Sequence, residues 1–252
     1  MPFFLVTLFG LIVGSFLNVC IYRLPRDQSI VWPASRCTTC GRTLSWYENI
    51  PVLSWVVLRA RCRTCGERIS PMYPLVESVT AAVFVLVYAV FGPTLLFPIR
   101  VAFGCAMIVL FVIDLQHQIL PNEITLPGIV VGLAASAFAE PGLNAAIIGA
   151  LAGGGSLWLV AFGYERLRHK EGLGFGDVKM LAMIGAFLGW KLMLLTLVGA
   201  SVLGSLVAGG LMLSGRAGWQ SKLPLGTFLS LAALPVSLAG EAVVKWYEGL
   251  YS

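Results

Sequence analysis

The sequence predicts an all-α polytopic membrane protein of about eight transmembrane helices, with a small cytoplasmic metal-binding loop domain between the first two. Three observations predict it. Hydrophobic residues make up 58% of the 252 positions against 12% charged, with a mean hydropathy of +0.87, too apolar for an ordinary soluble domain. Apolar runs near the roughly 20 residues that cross a bilayer recur along the chain. One sizeable polar stretch, 23–73, interrupts them, and it carries four of the six cysteines.

The expected spans are 3–22, 74–92, 95–114, 121–139, 143–163, 177–190, 191–213 and 224–247. Gly189 and Lys191 alone separate the sixth and seventh, so a seven-span reading stays open. The first run has no basic residue before it and is followed by Arg23 and Arg26, the reverse of a signal peptide's charge order. It is expected to remain as a helix with its N-terminus outside. The chain therefore divides into a first helix (1–22), the cysteine loop (23–73) and a larger membrane domain (74–252).

Loop charges set the orientation. Fourteen of the 17 Lys and Arg residues fall in 23–72, 164–179 and 214–223, all after odd-numbered spans, while 92–94 and 139–142 carry none. Eight spans with both termini outside satisfy this bias, and they put the ends of spans three and five on the cytoplasmic side. The net charge of +5 records the same bias, so nucleic-acid binding is not needed to explain it.

The loop contains Cys37-Thr-Thr-Cys40 and Cys62-Arg-Thr-Cys65. Paired C-x-x-C knuckles at this spacing match the ligand set of a four-thiolate structural zinc site, which leaves no open position for substrate or water. Gly41 and Gly66 follow the second cysteine of each knuckle and permit the tight turn. Two disulfides are the alternative, but a cytoplasmic loop lies where disulfides seldom persist. So short a loop buries little core, and a metal cross-link would take its place. Cys20 and Cys105 lie inside apolar runs and read as small buried hydrophobes.

Asp114 and Asp177 are two of only three aspartates, each at the end of an apolar segment and both on one membrane face. Two carboxylates held close cannot both ionise cheaply, so one keeps a proton while the other acts as a base, the aspartic-protease arrangement. Gly174 and Gly176, just before Asp177, remove side chains where a substrate backbone would approach, and they permit an irregular start to the helix. Pro121 suits the first turn of the next span and puts Asp114 near a break. The competing reading is two solvated residues at helix ends, Asp177 favouring a helix N-terminus through the dipole. No Ser/His/Asp set and no H-E-x-x-H motif points to another protease mechanism. Lys179 reads as a positive-inside residue, His117 and His169 as solvated turn residues, and Glu77, Arg100 and Lys191 as pairing between helices or snorkelling. A proton-coupled transporter would need acids deep in the spans and an internal repeat, and the sequence has neither. A scaffold that recruits partners through the cysteine loop is the remaining non-enzymatic reading.

Together these residues resemble the bacterial prepilin leader peptidases, the Gly-x-Gly-Asp intramembrane aspartic proteases, nearly end to end. The carrying segments are GSFLNVCIYRLP at 14–25, the two knuckles, ENIPVLSW at 48–55, ISPMYPLVE at 69–77, DLQHQILP at 114–121, GLGFGDVKMLAMIGAFLGW at 172–190 and PLGTFLSLAAL at 224–234. The resemblance implies removal of the basic leader of type IV prepilins or type II secretion pseudopilins at the cytoplasmic face of the bacterial inner membrane, with Asp114 and Asp177 as the catalytic pair. It also implies N-methylation of the new N-terminal residue with S-adenosylmethionine, an activity tied in the family to the cysteine loop. A peptidase that keeps the loop only as a folded cap is the alternative. The sequence has no Gly-rich nucleotide-binding turn. It departs from the family at Ala60, where Leu-x-Gly-(Arg/Lys)-Cys is usual, and at Thr38, where proline is common. If that glycine lets a cofactor approach the backbone, Ala60 weakens methyl transfer and leaves proteolysis intact.

Overall fold

The computed structural model describes residues 1–168, 174–215 and 224–250. Its helices are α1 (Pro2–Arg23), α2 (Leu53–Val57), α3 (Met72–Phe91), α4 (Leu96–His117), α5 (Asn122–Ser136), α6 (Leu143–Arg168), α7 (Phe175–Leu213) and α8 (Leu225–Glu248). Two isolated β-bridges are the only extended pairing among the described residues. Among the described residues six helices, α1, α3, α4, α6, α7 and α8, are long and apolar enough to cross a membrane. Large apolar side chains stand outward on them, Phe4 of α1, Leu151 of α6 and Leu206 of α7 each about 70% exposed. Surface of that kind belongs against lipid.

Two elements differ from the sequence expectation. In place of a span over 121–139, α5 has 15 residues, roughly 22 Å at 1.5 Å per residue and short of the bilayer's hydrocarbon core. The expected spans 177–190 and 191–213 form one 39-residue helix, broken at Gly189, where φ is 74° and ψ 173°. Such a backbone is open to glycine and nearly closed to other residues. Donors on neighbouring helices serve the carbonyls just before the break: the Ser136 hydroxyl donates to the Ala186 carbonyl at 3.0 Å, and Arg100 Nη1 to the Phe187 carbonyl at 3.5 Å. Their buried side chains thus meet the need for every backbone group at membrane depth to find a partner.

The chain forms two compact units, Met1–Phe97 and Pro98–Ser252. In the first, α1 packs along α3, and the cysteine loop joins them. In the second, α7 is the central element, with α5, α6 and α8 packed on it. The core of this unit joins Phe103, Met107 and Leu110 of α4 to Met180, Leu181 and Ile184 of α7 and Leu229 of α8. The α6 and α7 backbones touch at Gly149 and Gly185: a Cβ on Gly149 would stand 2.6 Å from the Gly185 carbonyl oxygen. Small residues are how membrane helices approach when water cannot drive them together.

Candidate active site and metal centre

The C-terminal end of α4 carries Asp114, whose side chain is buried, 5% of the residue being exposed. The helix stops one turn later, with Gln118 at φ 54° and Pro121 as the N-cap of α5. Asp177 sits in the first turn of α7, after the N-cap Gly174. Its own N–H donates to the Gly174 carbonyl at 3.1 Å. The structure brings these acids together at a third element, the first turn of α8, which starts after Pro224. The Thr227 N–H donates to Asp114 Oδ2 at 2.6 Å and its hydroxyl to the same oxygen at 2.9 Å. The neighbouring Gly226 N–H interacts with the Asp177 carboxylate, and Asp177 feels the charge of Asp114. The opening N–H groups of a helix have no partner within it and carry the positive end of its dipole. Here two successive ones meet the two carboxylates.

Gly174 and Gly176 contribute space more than backbone freedom. Gly174 has φ −69°, a conformation that any residue adopts. A Cβ on Gly174 would lie 3.3 Å from Asp177 Oδ2, and one on Gly176 would press to 2.9 Å from the Leu120 Cβ. Lys179 donates to the Asn122 side-chain oxygen, which ties α7 to α5. Lys191 forms an ion pair with Glu248 at 2.6 Å, as pairing between helices requires. His117 is exposed at the end of α4, and His169 lies outside the described residues. Gly226 and Thr227 were assigned no role from sequence. The signal was present in Pro224, which ahead of an apolar run marks a helix start whose free N–H groups need acceptors.

The cysteine loop is built from two copies of one turn, twenty-five residues apart in number. The Cys37 N–H donates to the Arg42 carbonyl at 2.9 Å and the Gly41 N–H to the Cys37 carbonyl at 2.9 Å; Cys62 with Glu67 and Gly66 with Cys62 repeat this at 2.8 and 3.0 Å. The bridges Arg36 to Thr43 and Arg61 to Arg68 are equivalent too. Gly41 and Gly66 both take φ 71°, as the motif reading expects. All four sulfurs lie within 4.8 Å of one another, and Cys37 and Cys65 stand 3.8 Å apart. Four thiolates about 2.3 Å from one tetrahedral ion are separated by roughly 3.8 Å, so the donor set fits a metal ion. Amides act on two of the ligands: the Cys65 and Thr64 N–H groups bring the Cys62 thiol down to about 6, and those of Cys40 and Thr39 lower Cys37, while, against the Glu67 N–H, burial and the neighbouring thiols push Cys65 up to about 11. None of the four is in a disulfide.

Comparison with known proteins identifies the family. The family model for the bacterial peptidase A24 N-terminal domain matches residues 8–91, and that for the type IV leader peptidase family matches 101–209. A Pseudomonas putida protein named prepilin leader peptidase/N-methyltransferase is 37% identical, over 98% of this chain and 92% of the relative. The chain belongs to the type IV leader peptidase family. An Aeromonas hydrophila protein, likewise named prepilin leader peptidase/N-methyltransferase, is 35% identical over 97% of the chain and 93% of its own length. A Myxococcus xanthus member, also so named, is 46% identical over 86% of the chain and 66% of its own length. No solved structure matches. Within this family framework Ala60 has a physical reading. It has φ 57°, after Arg59 at 51°, and both its backbone groups are bonded, its N–H to the Trp55 carbonyl at 2.8 Å and its carbonyl to the Ile69 N–H at 2.7 Å. The left-handed position that glycine would fill without strain is held here by alanine at about 1 kcal/mol.

Proposed function

We propose that this protein removes the leader peptide of type IV prepilins or type II secretion pseudopilins at the cytoplasmic face of the bacterial inner membrane, and then N-methylates the newly exposed residue. The observation that carries the peptidase reading is the meeting of Asp114 and Asp177 at one helix N-terminus. Close carboxylates share a proton. The ionised one takes a proton from a water molecule as its oxygen attacks the scissile carbonyl carbon, and the protonated one donates to the carbonyl oxygen. As the tetrahedral species collapses, the C–N bond breaks, the amine leaves with a proton and the acyl carbon keeps the water's oxygen. Gly174 and Gly176 keep this approach open to a substrate backbone. A prepilin, with a basic leader ahead of a long apolar helix, would reach the site laterally from the bilayer.

The topology that goes with this reading has eight crossings, the two parts of α7 counted separately and α5 taken as a shortened crossing that a locally thinned bilayer accommodates, with both termini outside and the cysteine loop and active site facing the cytoplasm. The loop, 23–73, serves methyl transfer, and the membrane domain within 74–252 serves proteolysis. Cys37, Cys40, Cys62 and Cys65 would hold a structural zinc ion, which would supply the cross-link that the loop needs. S-adenosylmethionine would supply the methyl group. The test is mass spectrometry of a co-expressed type IV prepilin. The expected spectrum shows loss of the leader and the mass of one added methyl group; an unprocessed pilin removes the peptidase reading, and a cleaved but unmethylated one the transferase reading.

Thr227 acts in this scheme as a positioning residue. Thr227→Val keeps the shape and the backbone donor but removes the hydroxyl. A hydrogen bond to a charged group is worth about 1.5 kcal/mol or more, so kcat is expected to fall roughly tenfold with KM nearly unchanged. Thr227→Ser restores the hydroxyl and is expected to recover most of the rate. Equal rates in the valine variant and the wild type would remove Thr227 from the mechanism.

A further inference from the structure

Unit 1 contains a cavity of about 1340 Å³ lined by α1, α3 and the cysteine loop. It exceeds the roughly 300–1,000 Å³ of an ordinary small-molecule site, leaving room for one ligand and the tip of a second reactant. Two buried carboxylates, Glu48 and Glu77, line it. They are differently supplied. Glu48 is neutralised by Arg42 at 2.6 Å and accepts the Ser45 N–H at 2.8 Å. Glu77, 7% exposed, accepts the Val52 N–H at 2.7 Å and interacts with the Ser15 hydroxyl. Among the described residues no cation forms an ion pair with it. A buried carboxylate normally has a positive partner.

The segment that meets Glu77 is itself strained. Val52 takes φ 59° and ψ −49°, a region that β-branched residues almost never occupy. Strain of this kind, about 1–3 kcal/mol, persists only where the surroundings over-determine it, and it gathers at ligand clamps. Trp55, three residues on, donates its indole N–H to the Ile69 carbonyl at 3.1 Å. This fixes its ring at the cavity beside the second knuckle. Tyr73 and Asn18 line the cavity from α3 and α1.

We propose that this cavity is the S-adenosylmethionine site and that Glu77 receives the positive charge of the methyl donor there. The inference rests on the methyltransferase reading above and gives it a location. The donor is a sulfonium cation with an aromatic purine and a polar ribose. The cavity offers a carboxylate lacking a cation, aromatic rings that attract both purines and cations, and side-chain amides. In the transfer the amine nitrogen bonds the methyl carbon as the C–S bond breaks, the sulfur leaves as a neutral thioether, and the nitrogen's displaced proton passes to solvent. Glu77 is then left facing a neutral sulfur, which favours product release.

Glu77→Gln removes the charge but keeps an oxygen for the Val52 N–H. With the full-length protein in detergent micelles, equilibrium dialysis against labelled S-adenosylmethionine is expected to show one site per wild-type chain and binding at least tenfold weaker in Glu77→Gln, with prepilin cleavage and zinc content unchanged. Photolabelling of the wild type with the same compound gives a readout independent of the variant: label in peptides covering 12–23, 48–58 or 73–77 is expected, and label confined to 98–250 overturns the assignment. Undiminished donor binding by Glu77→Gln, with pilin still methylated by the wild type, overturns the role of Glu77 alone. A wild type that neither binds the donor nor methylates pilin overturns the transferase reading and this inference with it.

Discussion

Asp114→Asn and Asp177→Asn are each expected to stop leader removal, with losses on the order of 10³-fold or more. Proton transfer by a positioned group contributes about 10²–10⁴-fold, and in a dyad the loss of either acid leaves the other without the partner that shares its proton. The double variant is expected to be no worse than the singles, because groups that act as a unit do not add. The geometry should survive the change. Asparagine keeps a side-chain oxygen for the Thr227 N–H and hydroxyl that now bond Asp114. At 177 the substitution removes a charge that faces Asp114. Folded yield and thermal unfolding should therefore stay close to wild type. Single-turnover cleavage of prepilin in proteoliposomes measures the effect, and a variant that cleaved at the wild-type rate would take that residue out of the mechanism.

The second large effect is expected at the knuckles. Between Leu24 and Pro71 only Glu48 and Cys62 are buried, so the loop has no apolar core of its own. On the zinc reading proposed above, a cross-link at the knuckles supplies what core burial does not, and apparent binding energies of structural zinc, about 10–16 kcal/mol, are folding energies in such domains. Cys62→Ser is expected to lower zinc from about one ion per chain to well below one, by elemental analysis of purified protein. Limited proteolysis should then cut within 23–71, and pilin methylation should be lost. Leader removal should fall only a few-fold, since Asp114, Asp177, Gly226 and Thr227 all belong to the other unit. Full zinc occupancy in the variant would refute the four-thiolate assignment.

The parts of this molecule that were legible in the sequence are those where spacing alone sets geometry. Two cysteines and a glycine within five residues can close only one kind of turn, so the knuckles and the φ of Gly41 and Gly66 followed directly. The pairing of Asp114 with Asp177 was reached by counting loop charges. Composition could not separate a 15-residue α5 from a full span, nor show that 177–190 and 191–213 are one helix bent at Gly189, since apolar residues serve both equally. Thr227 stayed hidden because a hydrogen bond across 113 positions leaves no local pattern. Glu77 was read as pairing between helices or snorkelling, and its contact with Val52 stayed hidden for a related reason: the strained φ of Val52 depends on what surrounds it, and nothing in the letters Pro-Val-Leu announces it. At Ala60 the family pattern pointed to a cofactor, while the backbone supplies a simpler cause in its positive φ.

The first turn of α8 also sets an order of events during synthesis. Both acids have been made once residue 177 leaves the ribosome, yet the donors that meet them are residues 226 and 227. Until then the donors that Asp114 and Asp177 meet in the finished fold are absent. On the dyad reading, proteolytic competence arrives only with α8, so a growing chain that has not reached residue 227 leaves its neighbours in the membrane uncut.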